Sequence, residues 1–209
     1  MKVNFIGNFD EAFYYLVNNE YEINYYFFQS GRASKMILLF CKTMGIPTVE
    51  IKNAEDFQRN EINKLFNERV INIIASFGII IPNELTRQYV FINVHPGILP
   101  DYRGRHPLPQ AIVNQEKYAG ITVHIISPNG IDTGKILGLE KVEIDYSENY
   151  KYNELKLRGL IQSVLHKAIH NYLNQKYLGE SSDGSYYKPL TGDRLNLIFS
   201  VSRLIDLRD

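Results

Sequence analysis

Two short β-like runs, INVH (Ile92–His95) and ITVH (Ile121–His124), each end on a histidine, and the loop after the second carries Asp132 within IDTG. Residues two apart on a strand face the same way, so Asn93 projects beside His95, about 6–7 Å along the chain, and Thr122 beside His124. If the two runs are neighbouring strands, an amide, an imidazole and a carboxylate converge on one crevice. An Asn amide donates hydrogen bonds without carrying charge, which suits it to an oxyanion; removing one such donor costs about 100- to 1000-fold in rate. Histidine moves protons near neutral pH, for roughly 100- to 10,000-fold, and a carboxylate beside it fixes its tautomer and favours its charged form. Acyl transfer fits that set. Neither motif holds a serine or cysteine nucleophile, so the acyl group passes directly to an incoming amine with no covalent enzyme intermediate.

The same residues admit plainer uses. Asn93 and His95 can be strand-end groups satisfied by backbone, and Arg103 and Arg105 can be solvated loop charges. His95, His124 and Asp132 also have the composition of a two-histidine, one-carboxylate metal site, although no independent ligand set accompanies them. His166 and His170 stand one helical turn apart in LHKAIHNYL, which reads as a solvated helix face.

The elements that must hold these groups alternate in type. KVNFIG precedes DEAFYYLVNN, EINYYFFQ precedes ASKMILLFCKTMG, PTVEI precedes AEDFQRNEINKLFNE, and VINIIASFG precedes a short NELTRQ before YVFINVH. Strands alternating with helices predict an α/β fold: a mostly parallel, twisted sheet with helices on both faces. Such sheets bind ligands beyond the carboxyl ends of their strands, where Pro96 stops INVH. Asp10 and Ser34 are candidate helix N-caps, and Gly31 and Gly45 suit the adjoining turns. GITVHII and KILGLEKVEI read as a strand pair. From Tyr152 to Lys176, apolar residues at three- and four-residue spacing predict one long helix, and RLNLIF reads as a last short strand.

After INVH the chain stiffens. Pro96 forces His95 into an extended conformation, Gly97 and Gly104 permit close backbone approach or positive φ, and Leu99-Pro100 can adopt a cis bond. Arg103 and Arg105 offer bidentate grips for phosphate or carboxylate.

Composition excludes several classes. The chain's 209 residues suit a single domain, here 1–209 with 177–209 as a C-terminal extension. Lys plus Arg and Asp plus Glu number 23 each, which removes the broad pull toward nucleic acid that a basic domain shows. No apolar run approaches the roughly 18 residues of a membrane span, and no signal-like start is present, so a cytoplasmic protein without membrane or nucleic-acid partners is expected. The one cysteine, Cys41, lies in an apolar helical pattern and reads as a buried small hydrophobe. The first turn, IGNFDE, supplies only Gly7 where a dinucleotide fingerprint would place three glycines.

The order NVHPGILPDYRG, then GITVH, then DTG resembles the formyltransferase family that uses 10-formyltetrahydrofolate, most closely from Ser76 to Leu139. The resemblance implies a Rossmann-like formyltransferase fold and 10-formyltetrahydrofolate as co-substrate, with no metal. It implies Asn93 as oxyanion donor, His95 as the proton-handling residue and Asp132 as its electrostatic partner. It further implies that SFGIIIP (Ser76, Phe77, Gly78, Ile79, Ile80, Ile81 and Pro82), with Asp132, contacts the folate pterin largely through backbone groups, and that Leu99-Pro100 is cis. Gly97 departs from the family, which usually has serine there. Among branches, RGRHPLPQAIVNQEKYAGITVH, GIDTGKIL and the YYKP tail look most like the sugar N-formyltransferases, which act on nucleotide-linked amino sugars for surface polysaccharides such as the O-antigen of lipopolysaccharide. By that analogy the nucleotide phosphates lie near Asn8, with Arg103, Gly104 and Arg105 as further contacts; Tyr186 and Tyr187 are left to ordinary packing. Glycinamide ribonucleotide or another small amine is the alternative acceptor, and a non-catalytic folate or sugar-nucleotide binding protein the alternative class. A homodimer, paired through RLNLIF, is the expected assembly.

Overall fold

The computed structural model describes residues 1–207, which divide into two compact units: Met1–Val94 with Ile125–Pro128, and His95–His124 with the chain from Asn129 on.

In the first unit β1 (Lys2–Gly7), α1 (Asp10–Asn18), β2 (Glu22–Gln29), α2 (Lys35–Met44), β3 (Thr48–Ile51), α3 (Asn60–Asn63), β4 (Ile71–Ala75), α4 (Asn83–Gln88) and β5 (Phe91–His95, whose last residue belongs to the second unit) follow one another. Its strands are parallel, in the order β3-β2-β1-β4-β5. Adjacent strand residues face opposite ways, and both faces here are apolar. Phe5 and Tyr26 meet Phe13 of α1 on one side, with ring centroids 5.3 and 6.1 Å apart. Ile6 and Phe27 join Phe57, Phe66 and Phe91 in a core on the other. A parallel sheet covered on both faces needs such uninterrupted apolar strands. Within the buried layer runs a chain of amides: Asn24 Nδ2 donates to Asn4 Oδ1 (3.1 Å), Asn4 Nδ2 to Asn72 Oδ1 (2.9 Å), and Asn72 Nδ2 to the Val90 carbonyl (2.8 Å).

Ser34 caps α2 as expected, accepting from the Ile37 N–H at 3.3 Å, but Asp10 does not cap α1. Phe9 occupies that cap position, and Asp10 in the first turn accepts from the Ser34 hydroxyl at 2.6 Å. The helix expected over AEDFQRNEINKLFNE is broken into a 3₁₀ turn, Ala54–Gln58, and the four-residue α3, because Arg59 between them is extended. Cys41 is buried, and burial pushes its thiol up to about 11, which keeps it protonated and inert.

The second unit contains β6 (Arg103–Gly104), α5 (Pro107–Val113), β7 (Tyr118–Ile125, whose last residue belongs to the first unit), β8 (Lys135–Glu143), α6 (Tyr150–Arg158), α7 (Ile161–Leu173), β9 (Gly179–Glu180), β10 (Tyr186–Tyr187) and α8 (Gly192–Ser200). The expected strand pair is β7 with β8, antiparallel, and β9 adds to β8 in the same sense. β10 pairs in parallel with β6. Helix α7 buries Ile161, Val164, Leu165, Ala168 and Ile169, the apolar face read from the sequence. The single long helix is corrected to α6 and α7, which part at Gly159-Leu160, where glycine is a poor helix former. RLNLIF is corrected from strand to α8: Ile198 is buried while Leu197 and Phe199 are more than half exposed. A short apolar run does not distinguish strand from helix, and Asp193 in the first turn favours helix. The strand pairing between subunits expected from RLNLIF therefore has no strand to use.

Candidate active site

β5 carries Asn93 and His95 at alternate positions, with Asn93 half-buried and His95 buried. Within the second unit, His95, His124 at the end of its part of β7, and Asp132 on the loop beyond come together. Asp132 Oδ2 lies 3.5 Å from His95 Nδ1, and Oδ1 lies 3.3 Å from His124 Nε2. The Gly104 N–H donates to the same Oδ2 at 2.9 Å. His95 donates through Nε2 to the Tyr102 carbonyl at 2.8 Å. Its neutral form therefore carries the proton on Nε2 and turns the Nδ1 lone pair to Asp132, where a second proton would be shared with the carboxylate.

All three side chains are nearly withdrawn from water, the exposures being 5% for His95, 1% for His124 and 11% for Asp132. Burial raises the Asp132 carboxyl, but His95, the hydrogen bond and charge of His124, and the Gly104 N–H outweigh it and hold the group well below the usual carboxylate range. Burial lowers His95 from the ordinary histidine value and outweighs the opposing pull of Asp132. The result is a buried carboxylate held ionised beside an imidazole whose burial favours the neutral form.

The loop between β5 and α5 is shaped for this contact. Thr122 Oγ1 donates to the Gly97 carbonyl (2.6 Å) and accepts from the Leu99 N–H (3.0 Å), just before a Leu99-Pro100 bond that is cis, as the resemblance implied. Gly97 sits tightly against His95: a Cβ there would stand 2.6 Å from His95 Nε2 and 2.8 Å from Pro107 Cβ, so one of them would have to shift. Tyr102, Gly104 and His106 all have positive φ, 58°, 95° and 60°, so the backbone turns repeatedly while its Tyr102 carbonyl and Gly104 N–H reach inward.

Of the other expected residues, Asn8 sits after β1 in the first unit, where its side chain donates to the Arg32 carbonyl at 3.0 Å. In Ser76–Pro82, Phe77 and Ile79 pack against the first unit's core, Ile81 is buried in it, and the Gly78 N–H donates to Gln29 Oε1 at 3.1 Å. Arg105 is exposed, whereas Arg103 is half-buried and engaged with main-chain carbonyls. The sequence located His124 without a role, and it gave no sign that backbone atoms of Tyr102 and Gly104 would complete the cluster. The dense glycine and proline of DYRGRHPLP was the available signal. Among the described residues, no group of three or more His, Cys, Asp or Glu is arranged to hold a metal ion.

A family model described as formyl transferase matches residues 30–169, well over half of the chain, and that span includes Asn93, His95, His124 and Asp132. The chain belongs to the formyl transferase family. It is 33% identical over 173 residues to a methionyl-tRNA formyltransferase of Caldanaerobacter subterraneus subsp. tengcongensis, a match covering 78% of this chain and 55% of that protein. Against the methionyl-tRNA formyltransferase of Nitratiruptor sp. it is 29% identical, over 64% of this chain and 44% of the relative. The chain thus spans about half the length of the curated relatives it matches. Among solved structures it resembles WlaRD, a sugar 3N-formyl transferase crystallised with dTDP and 5-N-formyl-THF, with TM-score 0.69, 22% identity, and coverage of 91% of this chain and 71% of that one. A phosphoribosylglycinamide formyltransferase from Bacillus halodurans gives TM-score 0.70 at 19% identity, covering 84% and 96%. At such identities these likenesses show the shared formyltransferase fold, mostly parallel sheet with helices, as the sequence predicted.

Proposed function

We propose that this formyl transferase family member moves a formyl group from 10-formyltetrahydrofolate to the primary amine of a nucleotide-linked amino sugar. The observation that carries the reading is the buried His95–Asp132 contact, with Asn93 two residues earlier on the same strand face. The neutral amine attacks the formyl carbon and forms the new C–N bond. Asn93 and His95 donate to the resulting oxyanion, and the proton lost by the amine leaves through His95 or through a water held by Asp132. The bond from carbon to the folate nitrogen then breaks, and the proton returns to that nitrogen. Ser76–Pro82 holds the pterin through main-chain groups, since the segment has no charged side chain and its Phe77, Ile79 and Ile81 are occupied in packing. Of the expected contacts for the nucleotide end of the acceptor, Asn8 and Arg105 remain candidates, since Arg103 is committed to the Ser182 and Gly184 carbonyls and the Gly104 N–H to Asp132; the chain works without a metal, as a soluble cytoplasmic enzyme.

A second acceptor, methionyl-tRNA, is favoured by the 33% identity to the Caldanaerobacter relative. The balanced charge of 23 cations and 23 anions weighs against it, because a polyanionic RNA is held mainly by Lys and Arg. The chain would be incubated with 10-formyltetrahydrofolate and, separately, a panel of nucleotide-linked amino sugars, glycinamide ribonucleotide and methionyl-tRNA, and the acceptors weighed. One formyl group gained by an amino sugar is the expected result. Gain by methionyl-tRNA or glycinamide ribonucleotide alone replaces the acceptor, and no gain by any of them despite folate binding refutes the transferase reading.

A further inference from the structure

The cluster at Asp132 is closed by two backbone groups, the Tyr102 carbonyl and the Gly104 N–H, on loop 101–106. Beyond the bond from the Tyr102 hydroxyl to Glu116 at 2.5 Å, further holds on that loop come from more than 75 residues later in the chain. Arg103 Nη1 donates to the Ser182 carbonyl at 3.2 Å and Nη2 to the Gly184 carbonyl. The Arg103 N–H donates to the Ser185 carbonyl at 3.1 Å, and β10 lies along β6 with Tyr186 opposite Arg103 and Tyr187 opposite Gly104. The Tyr187 ring stacks on Tyr102, with centroids 4.9 Å apart and planes 12° from parallel. Asn114 Nδ2 donates to both hydroxyls, at 3.0 Å to Tyr102 and 3.2 Å to Tyr187. Gly104 shows how close the approach is, since a Cβ there would stand 2.8 Å from the Tyr186 ring and 2.9 Å from the Tyr187 carbonyl.

We propose that residues 182–188 are a strap that sets the geometry of the proton-handling cluster, with Arg103 and Tyr187 as its positioning residues. Each residue of loop 101–106 gripped by the strap adjoins or is one that grips His95 or Asp132: Tyr102 under the Tyr187 ring holds His95, and Gly104 beside Tyr187 holds Asp132. Arg103, between them, has both terminal nitrogens committed to the strap. A guanidinium used in this way joins two distant segments through a rigid fork that lysine cannot reproduce. The effect on rate rests on the formyl-transfer reading; the effect on His95 does not.

Arg103→Ala and Tyr187→Leu test this, with Arg103→Lys and Tyr187→Phe as conservative partners and Ile198→Val, in the buried face of α8, as a control for general loosening. The first readout is the ¹⁵N shift pair of the His95 imidazole, assigned by its loss in His95→Gln. Both disruptive variants are expected to move it from the Nε2–H pattern toward that of a solvated ring, Tyr187→Phe to leave it nearly in place, and Ile198→Val to leave it unchanged. The second readout is steady-state transfer. The expected result is a fall of about 10- to 100-fold in kcat with KM for the acceptor within about threefold, the pattern of misplaced rather than missing groups. Identical His95 signals in wild type, Arg103→Ala and Tyr187→Leu would overturn the proposal. So would a raised KM for a phosphorylated acceptor at unchanged kcat in Arg103→Ala, which would make Arg103 a phosphate grip. If wild type transfers to no amine and the His95 signals still respond, the strap stands and the transferase reading falls. If Tyr187→Leu does not fold, Arg103→Ala and Arg103→Lys decide, and His95 signals unchanged from those of Ile198→Val in both count against the strap.

Discussion

Each unit buries a polar cluster of side chains, and the two are built on opposite terms. In the first, Asn24, Asn4 and Asn72 pass hydrogen bonds from amide to amide and end on a backbone carbonyl, so each donor shown has a neutral acceptor and no proton has anywhere to go. In the second, one carboxylate receives two histidine rings and a backbone N–H, and the charge it keeps is opposed by its own burial. A closed amide chain costs little once formed and fixes strand register. A buried anion between titratable rings is worth keeping only if its charge is used. The difference separates scaffold from chemistry more sharply than burial does, because Asn4 and Asn72 are as buried as His95 and His124.

The comparison breaks first at rate. Asp132→Ala and Asn93→Ala are each expected to lower kcat by at least about 100-fold with modest changes in KM. Steady-state formyl transfer measures this, and near-normal rates in both would return Asp132 to the same standing as the asparagines. Gly97→Ala is expected to cost less, about tenfold or more in kcat, because its Cβ would push on His95 Nε2 from 2.6 Å and misplace the ring without removing it. A crystal structure or the His95 ring shifts would show that displacement directly.

The amide chain should answer in the other currency. Asn72→Ala removes the nearer acceptor of Asn4 Nδ2, which keeps the Leu65 carbonyl at 3.4 Å, and the side-chain donor to the Val90 carbonyl, which keeps the residue-72 N–H at 3.2 Å, so the expected loss is that of two ordinary hydrogen bonds, about 0.5–1.5 kcal/mol each. Urea unfolding should show that loss while kcat per folded molecule stays at the wild-type value. A fall in kcat equal to that of Asp132→Ala would dissolve the distinction.

The sequence made the chemical cluster easier to read than the frame around it. Asn93, His95 and Asp132 announce themselves because strand alternation and a motif fix which side chains share a face, and the parallel sheet of the first unit follows from its continuous apolar strands. What stayed hidden depends on distant backbone. The Tyr102 carbonyl and Gly104 N–H have no side-chain signature, and the pairing of β10 with β6 joins segments more than 80 residues apart through two residues each. RLNLIF misled because five apolar or neutral positions in a row suit either period, and the local cue, Asp193 in the first turn of α8, is weak. The amides of β1 and β4 were equally silent: Asn4 and Asn72 look like interruptions of apolar strands until each is seen to meet the other.

The subtlest expectation concerns slope rather than level. Asp132 has a folded value depressed below the ordinary 3.8, so its carboxylate contributes stability that is fully present above 3.8 and is lost as pH falls through the folded value. Burial depresses His95 below 6.5, so the unfolded chain binds that proton more readily and stability also declines as pH falls below 6.5. The two windows open at different pH, but the groups face each other at 3.5 Å and each sets part of the other's shift. Asp132→Asn should flatten the acid limb below about 4, where carboxylates titrate, and deepen the decline below about 6.5 by removing the anion that raises His95, while His95→Gln should shrink that decline and soften the acid limb. Asn72→Ala, which removes no titrating group, should shift the whole stability curve downward without altering its shape. Thermal midpoints collected across this pH range would separate the three, and parallel curves for all of them would mean that the buried carboxylate is as neutral in its consequences as the amides it was contrasted with.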